Sequence, residues 1–172
     1  LTERHQMTYT DNDLITIPSG TDCSTGPFYT PVANAIDLTV SPDIGTGNEL
    51  VLMVVVETWT KNTNAGVDFE IITSASTTLS TSPRVIGSSG TIDPDDMELI
   101  DDAGRVTYQP IIVRINPDHY TAIAVSGVTE RYLGIRTVHT TNDPTVFTCL
   151  AQFVTSWSSS PAISHHASGF TA

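Results

Sequence analysis

Asp93, Asp95, Asp96, Glu98, Asp101 and Asp102 crowd six carboxylates into ten residues of a 172-residue chain. Hard cations such as calcium bind several carboxylate oxygens at once, so this cluster is the first candidate for chemistry. Its spacing is not that of an EF-hand loop, which needs a Gly at the sharp turn and a closing Glu in register. The reading taken is a solvated acidic turn, with a cation site as the alternative. His5, His119, His139, His165 and His166 are the other potential ligands. No pair of them has the spacing of a zinc site with a carboxylate alongside, so neither a metal nor a cofactor is expected.

Nucleophilic and glycosidic chemistry fare no better. Gly87-Ser88-Ser89-Gly90 lacks the Gly-x-Ser-x-Gly spacing of a nucleophile elbow and reads as a flexible loop. Glu57, Asp68 and Glu70 fall in strand patterns, and two carboxylates facing across a sheet would be the minimum for glycoside hydrolysis, but nothing in the sequence brings them together. Trp59 and Trp157 could stack on sugar rings, although aromatics that end strands more often cap a core or a subunit contact. Cys23 and Cys149 have no metal spacing; Cys149 reads as a small core hydrophobe, and a bridge between the two is left open. No enzyme is expected.

The elements that would position these residues are strands. Ser and Thr are abundant and Lys occurs once, at Lys61, a composition that suits pleated sheet and polar loops better than long helices. The longest signal is Leu50 to Thr60, apolar on both faces at its start and expected to be covered on both sides. Val67, Phe69 and Ile71 then alternate with Asp68 and Glu70, which places one face in a core, and Asn62 to Gly66 reads as a hairpin turn between the two strands. Arg131 to Val138 and Val146 to Val154 form a second expected hairpin, turned at Asn142-Asp143-Pro144.

Shorter strands are expected at Leu14 to Ile17 and Ile36 to Val40, with one irregular edge strand inside Ser74 to Gly90. Another runs through Tyr108 to Ile115, where Pro110 must sit at a strand start or on an edge, and Ala122 to Val125 is a weak apolar segment. Asp93-Pro94 is a helix start, Asp capping and Pro first, with Gly104 as the stop. The sum is an all-β, two-sheet antiparallel β-sandwich of jelly-roll type, with about eight strands and one short helical turn. It occupies residues 11–157, between an N-terminal arm (1–10) and a C-terminal tail (158–172). Val54, Val56, Phe69, Leu133, Ile135, Leu150 and Val154 are the expected inter-sheet core.

The net charge of -12, with seven scattered basic residues, argues against nucleic acid as a partner. No run is long and apolar enough to span a bilayer, and Leu1 to Thr10 lacks the basic and apolar regions of an export signal, so no membrane partner is expected. An acidic protein that docks on another surface must offer either apolar anchors or a face for basic groups. Tyr9, Phe28, Tyr29, Trp157 and Phe170 are the candidate anchors, for a partner protein or for another copy of the chain.

Three stretches give the chain a family likeness: Tyr9-Thr10-Asp11-Asn12-Asp13-Leu14, the turn Gly45-x-Gly47-x-Glu49-Leu50 leading into an apolar strand, and Arg131-Tyr132-Leu133. With these, the chain from Tyr9 to Thr155 resembles the jelly-roll capsid cement, or head decoration, proteins of tailed bacteriophages. It departs from them at Asn48-Glu49-Leu50, where an acidic residue and a proline are common, and in a longer loop from Asp93 to Arg105 and a longer tail. The resemblance implies a virion structural protein on the outer surface of the capsid, made in the host cytoplasm. It further implies a homotrimer that clamps neighbouring major capsid protein subunits and carries no catalytic residues. The other reading is a carbohydrate- or receptor-binding sandwich on a virion or cell surface.

Overall fold

The computed structural model describes residues 14–38, 51–100, 102–115 and 130–154. The 1–10 arm, the 158–172 tail, the turn before Leu50, the Ala122 to Val125 segment and the candidate anchors Tyr9, Trp157 and Phe170 lie outside the described residues.

β-branched and aromatic residues at alternate positions form eleven described strands. In chain order these are β1 (Ile15–Asp22), β2 (Phe28–Tyr29), β3 (Ile36–Asp37), β4 (Val51–Thr60), β5 (Val67–Ser74) and β6 (Arg84–Ser88). They continue as β7 (Glu98–Ile100), β8 (Val106–Tyr108), β9 (Ile111–Arg114), β10 (Tyr132–His139) and β11 (Val146–Val154). Helical structure among the described elements is confined to two 3-10 turns, Val32–Asn34 and Pro94–Met97. The second starts as its sequence dictates: Pro94 comes first and the Asp93 carboxylate accepts from the Asp95 N–H at 3.2 Å. It stops at Met97 because the chain then pairs into β7, and Gly104, at φ 76°, turns a two-stranded ribbon instead of ending a helix.

One sheet runs β1-β11-β4-β9 and the other β2-β10-β5-β6, with β3 also on β10, all antiparallel. Counting β2 and β3 as one interrupted strand, the pairings nest: β1 with β11, β2 and β3 with β10, β4 with β9, β5 with β6. A long antiparallel hairpin rolled so that its pairs alternate between two sheets gives this order, which is the jelly roll. The β7–β8 ribbon is an insertion between β6 and β9 and forms a third, two-stranded sheet.

Neither expected hairpin forms. β4 and β5 lie in different sheets, and so do β10 and β11, so Asn62 to Gly66 and the segment after His139 are arches that cross between layers. Each of these strands has a strongly apolar face. Crossing the sandwich turns the Leu52, Val54 and Val56 face towards the Val67, Phe69 and Ile71 face, where both leave water. β4 has one fully buried face, while Met53 and Val55 on the other are half-buried, so it is covered on two sides only in part.

The core correction is on β11. Phe147, Cys149, Ala151 and Phe153 point inward, whereas Leu150 and Val154 are half-buried on the opposite face. Apolar residues occupy both phases of this strand, and the two phenylalanines with their larger area take the core side. The remaining expected core residues, Val54, Val56, Phe69, Leu133 and Ile135, are all buried in the central cluster.

Two local devices complete the packing. Val56 pairs with Cys149 and Thr58 with Thr148, which leaves Glu57 as one extra residue in β4. This bulge reverses the phase of the strand, so Trp59 is buried beside Phe147. On the outer face of the other sheet, the loop after β5 folds back and buries Leu79, at φ 53°, against Gly134 of β10. A Cβ on Gly134 would collide with the Leu79 methyl and with the Thr30 side chain, so only glycine fits there.

Candidate functional site

The start of β10 is fastened on both flanks. Arg131 donates to both Asp37 carboxylate oxygens, at 2.9 and 3.0 Å from Nε, and its guanidinium lies 5.2 Å from the Tyr132 ring centroid. On the other side the Glu130 carboxylate accepts from Thr73 Oγ1 of β5 at 2.7 Å and from Arg84 of β6 at 3.1 Å. The acidic-basic-aromatic-aliphatic run Glu130 to Leu133 therefore staples β3, β10, β5 and β6 together, with Leu133 fully buried as the inward plug. These residues belong to the scaffold.

Of the two described candidate anchors, Phe28 shares a register position with Thr137 and packs against the edge of the core, while Tyr29 points outward. Tyr29 begins a row across the outer face of its sheet: Arg136 lies 6.0 Å from its ring centroid and pairs with Glu70 on β5. Beside Glu70, Ser88 donates to both oxygens of Asp68 at 2.9 Å, and Ser89 also reaches Asp68. Ser88 thus ends strand β6 and is tied to a carboxylate, which corrects the expected flexible loop. Gly87 is needed because β6 passes so close to the Arg114 carbonyl that a Cβ would collide with it. The three carboxylates flagged for hydrolysis are accounted for locally: Asp68 by these serines, Glu70 by Arg136, and Glu57 by Ser19 and the Gly20 N–H of β1.

Trp59 is buried, with its indole edge-on to Phe147, so it offers no platform to a sugar. Cys23 and Cys149 are free, fully buried thiols with their sulfurs 3.9 Å apart. Hydrogen bonding to Cys23, with burial second, pushes the Cys149 thiol well above its ordinary pKa. At the arch after β10, the nearly buried His139 ring meets the Asp143 carboxylate, Nδ1 to Oδ1, at 2.7 Å. The same oxygen accepts the Gly26 N–H at 3.1 Å, and the His139 bond, with Gly26 second, holds the Asp143 pKa below its ordinary value. Among the described residues no group of three His, Cys, Asp or Glu is arranged to hold a metal, and no helix is long and apolar enough to cross a membrane.

The acidic stretch divides in two. Asp93 caps its turn and pairs with Lys61 at the end of the β4–β5 arch, which raises the lysine pKa, and Asp95 stands 3.9 Å from the same ammonium. Asp96, Glu98 and Asp102 are exposed, and between and beyond them the β7–β8 ribbon displays Leu99, Ile100 and Val106 to water. Sequence reading missed this patch because three apolar residues in short runs resemble any half-buried edge strand. Compared with models of known protein families and with curated protein sequences, the chain matches none of them.

Proposed function

We propose that this protein is a capsid cement protein: it binds the outer face of a phage head and adds contact area across the boundaries between major capsid subunits. The nested jelly-roll pairing carries the reading, because it is the architecture that the family resemblance implies. The Arg131-Tyr132-Leu133 motif of that resemblance has a physical reason within it, as the staple at the start of β10. Cementing requires shape, valency and a stiff scaffold and no reacting group, and the polar side chains of this sandwich tie strands to one another. In this reading the protein acts as a homotrimer on the virion surface, and multivalent attachment raises its avidity.

The test is co-sedimentation of the purified chain with expanded, empty heads of the phage that encodes it. Saturable binding in a fixed ratio to the major capsid protein is expected. Bare heads, together with specific binding on a glycan array, would replace this reading with the carbohydrate-binding one.

A further inference from the structure

We infer that the β7–β8 ribbon is the docking arm of this protein, and that its partner is a protein surface with an apolar groove rimmed by Lys and Arg. An isolated two-stranded ribbon is marginal in water. This one is nonetheless held out from the sandwich, its base fixed by the Gln109 N–H on the Met97 carbonyl at 3.0 Å and by Met97 and Tyr108 packed on the core. Ile100 and Val106 are cross-strand partners, so they share a face, at 68% and 47% exposure, and Leu99 on the other face is 46% exposed. They account for three of the five large apolar side chains that stand out to water among the described residues, and they are gathered on six strand residues.

The surroundings select the partner. Glu98 and Asp102 are exposed on the ribbon, with Asp95 and Asp96 exposed in the turn at its base, against Arg105 between the two strands and a Lys61 already engaged by Asp93. Two ribbons meeting face to face would set the same carboxylates, Glu98 and Asp102, against each other, whereas a basic rim gains from both of them. Aliphatic side chains at the centre with charge at the margin are the arrangement of a protein interface.

The inference rests on the cement reading for the identity of the partner, the major capsid protein. Three proteins are compared for binding to expanded heads: the wild type, Ile100→Ser with Val106→Ser, and Glu98→Lys with Asp102→Lys. All four positions are exposed, and circular dichroism checks that the sandwich is intact. The serine variant should bind about tenfold or more weakly, the loss expected for partial removal of two buried aliphatic contacts. The lysine variant should bind more weakly and lose most of the salt dependence of the wild type. Wild-type affinity in both variants overturns the docking arm while leaving the cement reading in place. So does a serine variant that binds heads normally but no longer associates with itself, which would make a second copy the occupant. If the wild type itself leaves the heads bare, the cement reading fails and the assigned partner falls with it.

Discussion

Trp59 meets Phe147 edge-on across the β4–β11 ladder, ring centroids 5.3 Å apart and planes at 85°, and it does so because Glu57 is bulged out of the strand between Val56 and Thr58. Without the extra residue, Trp59 would continue the phase of Val55 and face outward. The bulge also leaves Glu57 outside, where Gly20 and Ser19 of β1 donate to it. One inserted residue thus closes the core at this end and ties the edge strand down.

The two faces of β11 should respond differently to truncation. Phe147→Ala removes a fully buried ring that touches Trp59, Phe69 and His139, and should cost about 3–5 kcal/mol. Leu150→Ala acts on a half-buried side chain and should cost less than the roughly 2–5 kcal/mol of a fully buried leucine. Urea midpoints of the two variants measure the difference, and equal losses would mean that the faces are wrongly assigned.

Gly134 and Leu79 form a lock that a paired substitution can open. Gly134→Ala should destabilise by about 1–3 kcal/mol, since the new methyl meets Leu79 and Thr30 in a filled space. Leu79→Ala alone leaves a cavity. The double variant should lose less than the sum of the singles, because the methyl then enters the space that the leucine vacates. Additive losses in a double-mutant cycle would show that the two residues do not share that space.

The fold class was legible in the sequence wherever a single strand carried its own signal. Val67, Phe69 and Ile71 alternate cleanly and are buried, Asp93-Pro94 starts its turn, and Pro110 precedes the edge strand β9. Partnership between strands was not legible, because a turn such as Asn62 to Gly66 serves a hairpin or an arch equally well, and only the fit of two apolar faces across the sandwich decides. The phase of β11 was hidden by aliphatic residues on both faces. The bulge at Glu57 has no signature of its own, since Glu57-Thr58 is an ordinary polar pair at the end of a strand. Among the candidate anchors, Phe28 reads the same whether it docks or packs inward, and its register with Thr137 turns it towards the core.

Cys23 and Cys149 should be silent in the native protein. Both thiols are fully buried, and the raised pKa of Cys149 keeps the nucleophilic thiolate scarce at neutral pH. Ellman's reagent should therefore label neither at an appreciable rate until urea unfolds the sandwich, when both react together. Rapid labelling of the folded protein would show that the β1–β11 edge opens locally.

Asp143 gives the protein a defined response to acid. Its pKa is lowered in the folded state by the bond from His139 and then by the Gly26 N–H, so the carboxylate is better stabilised folded than unfolded. A group of this kind contributes stability above its unfolded pKa, about 4, and loses that contribution as pH falls through the lower folded value. Asp143→Asn should therefore be less stable than the wild type at pH 7, and the gap should narrow as the wild type is acidified below about pH 4. His139→Ala should also destabilise the protein at pH 7, through loss of the same bond and of the ring contact with Phe147. Paired denaturation curves at pH 7 and pH 3 measure both effects, and a gap between Asp143→Asn and the wild type that is the same at the two values would rule out the lowered carboxylate as its cause.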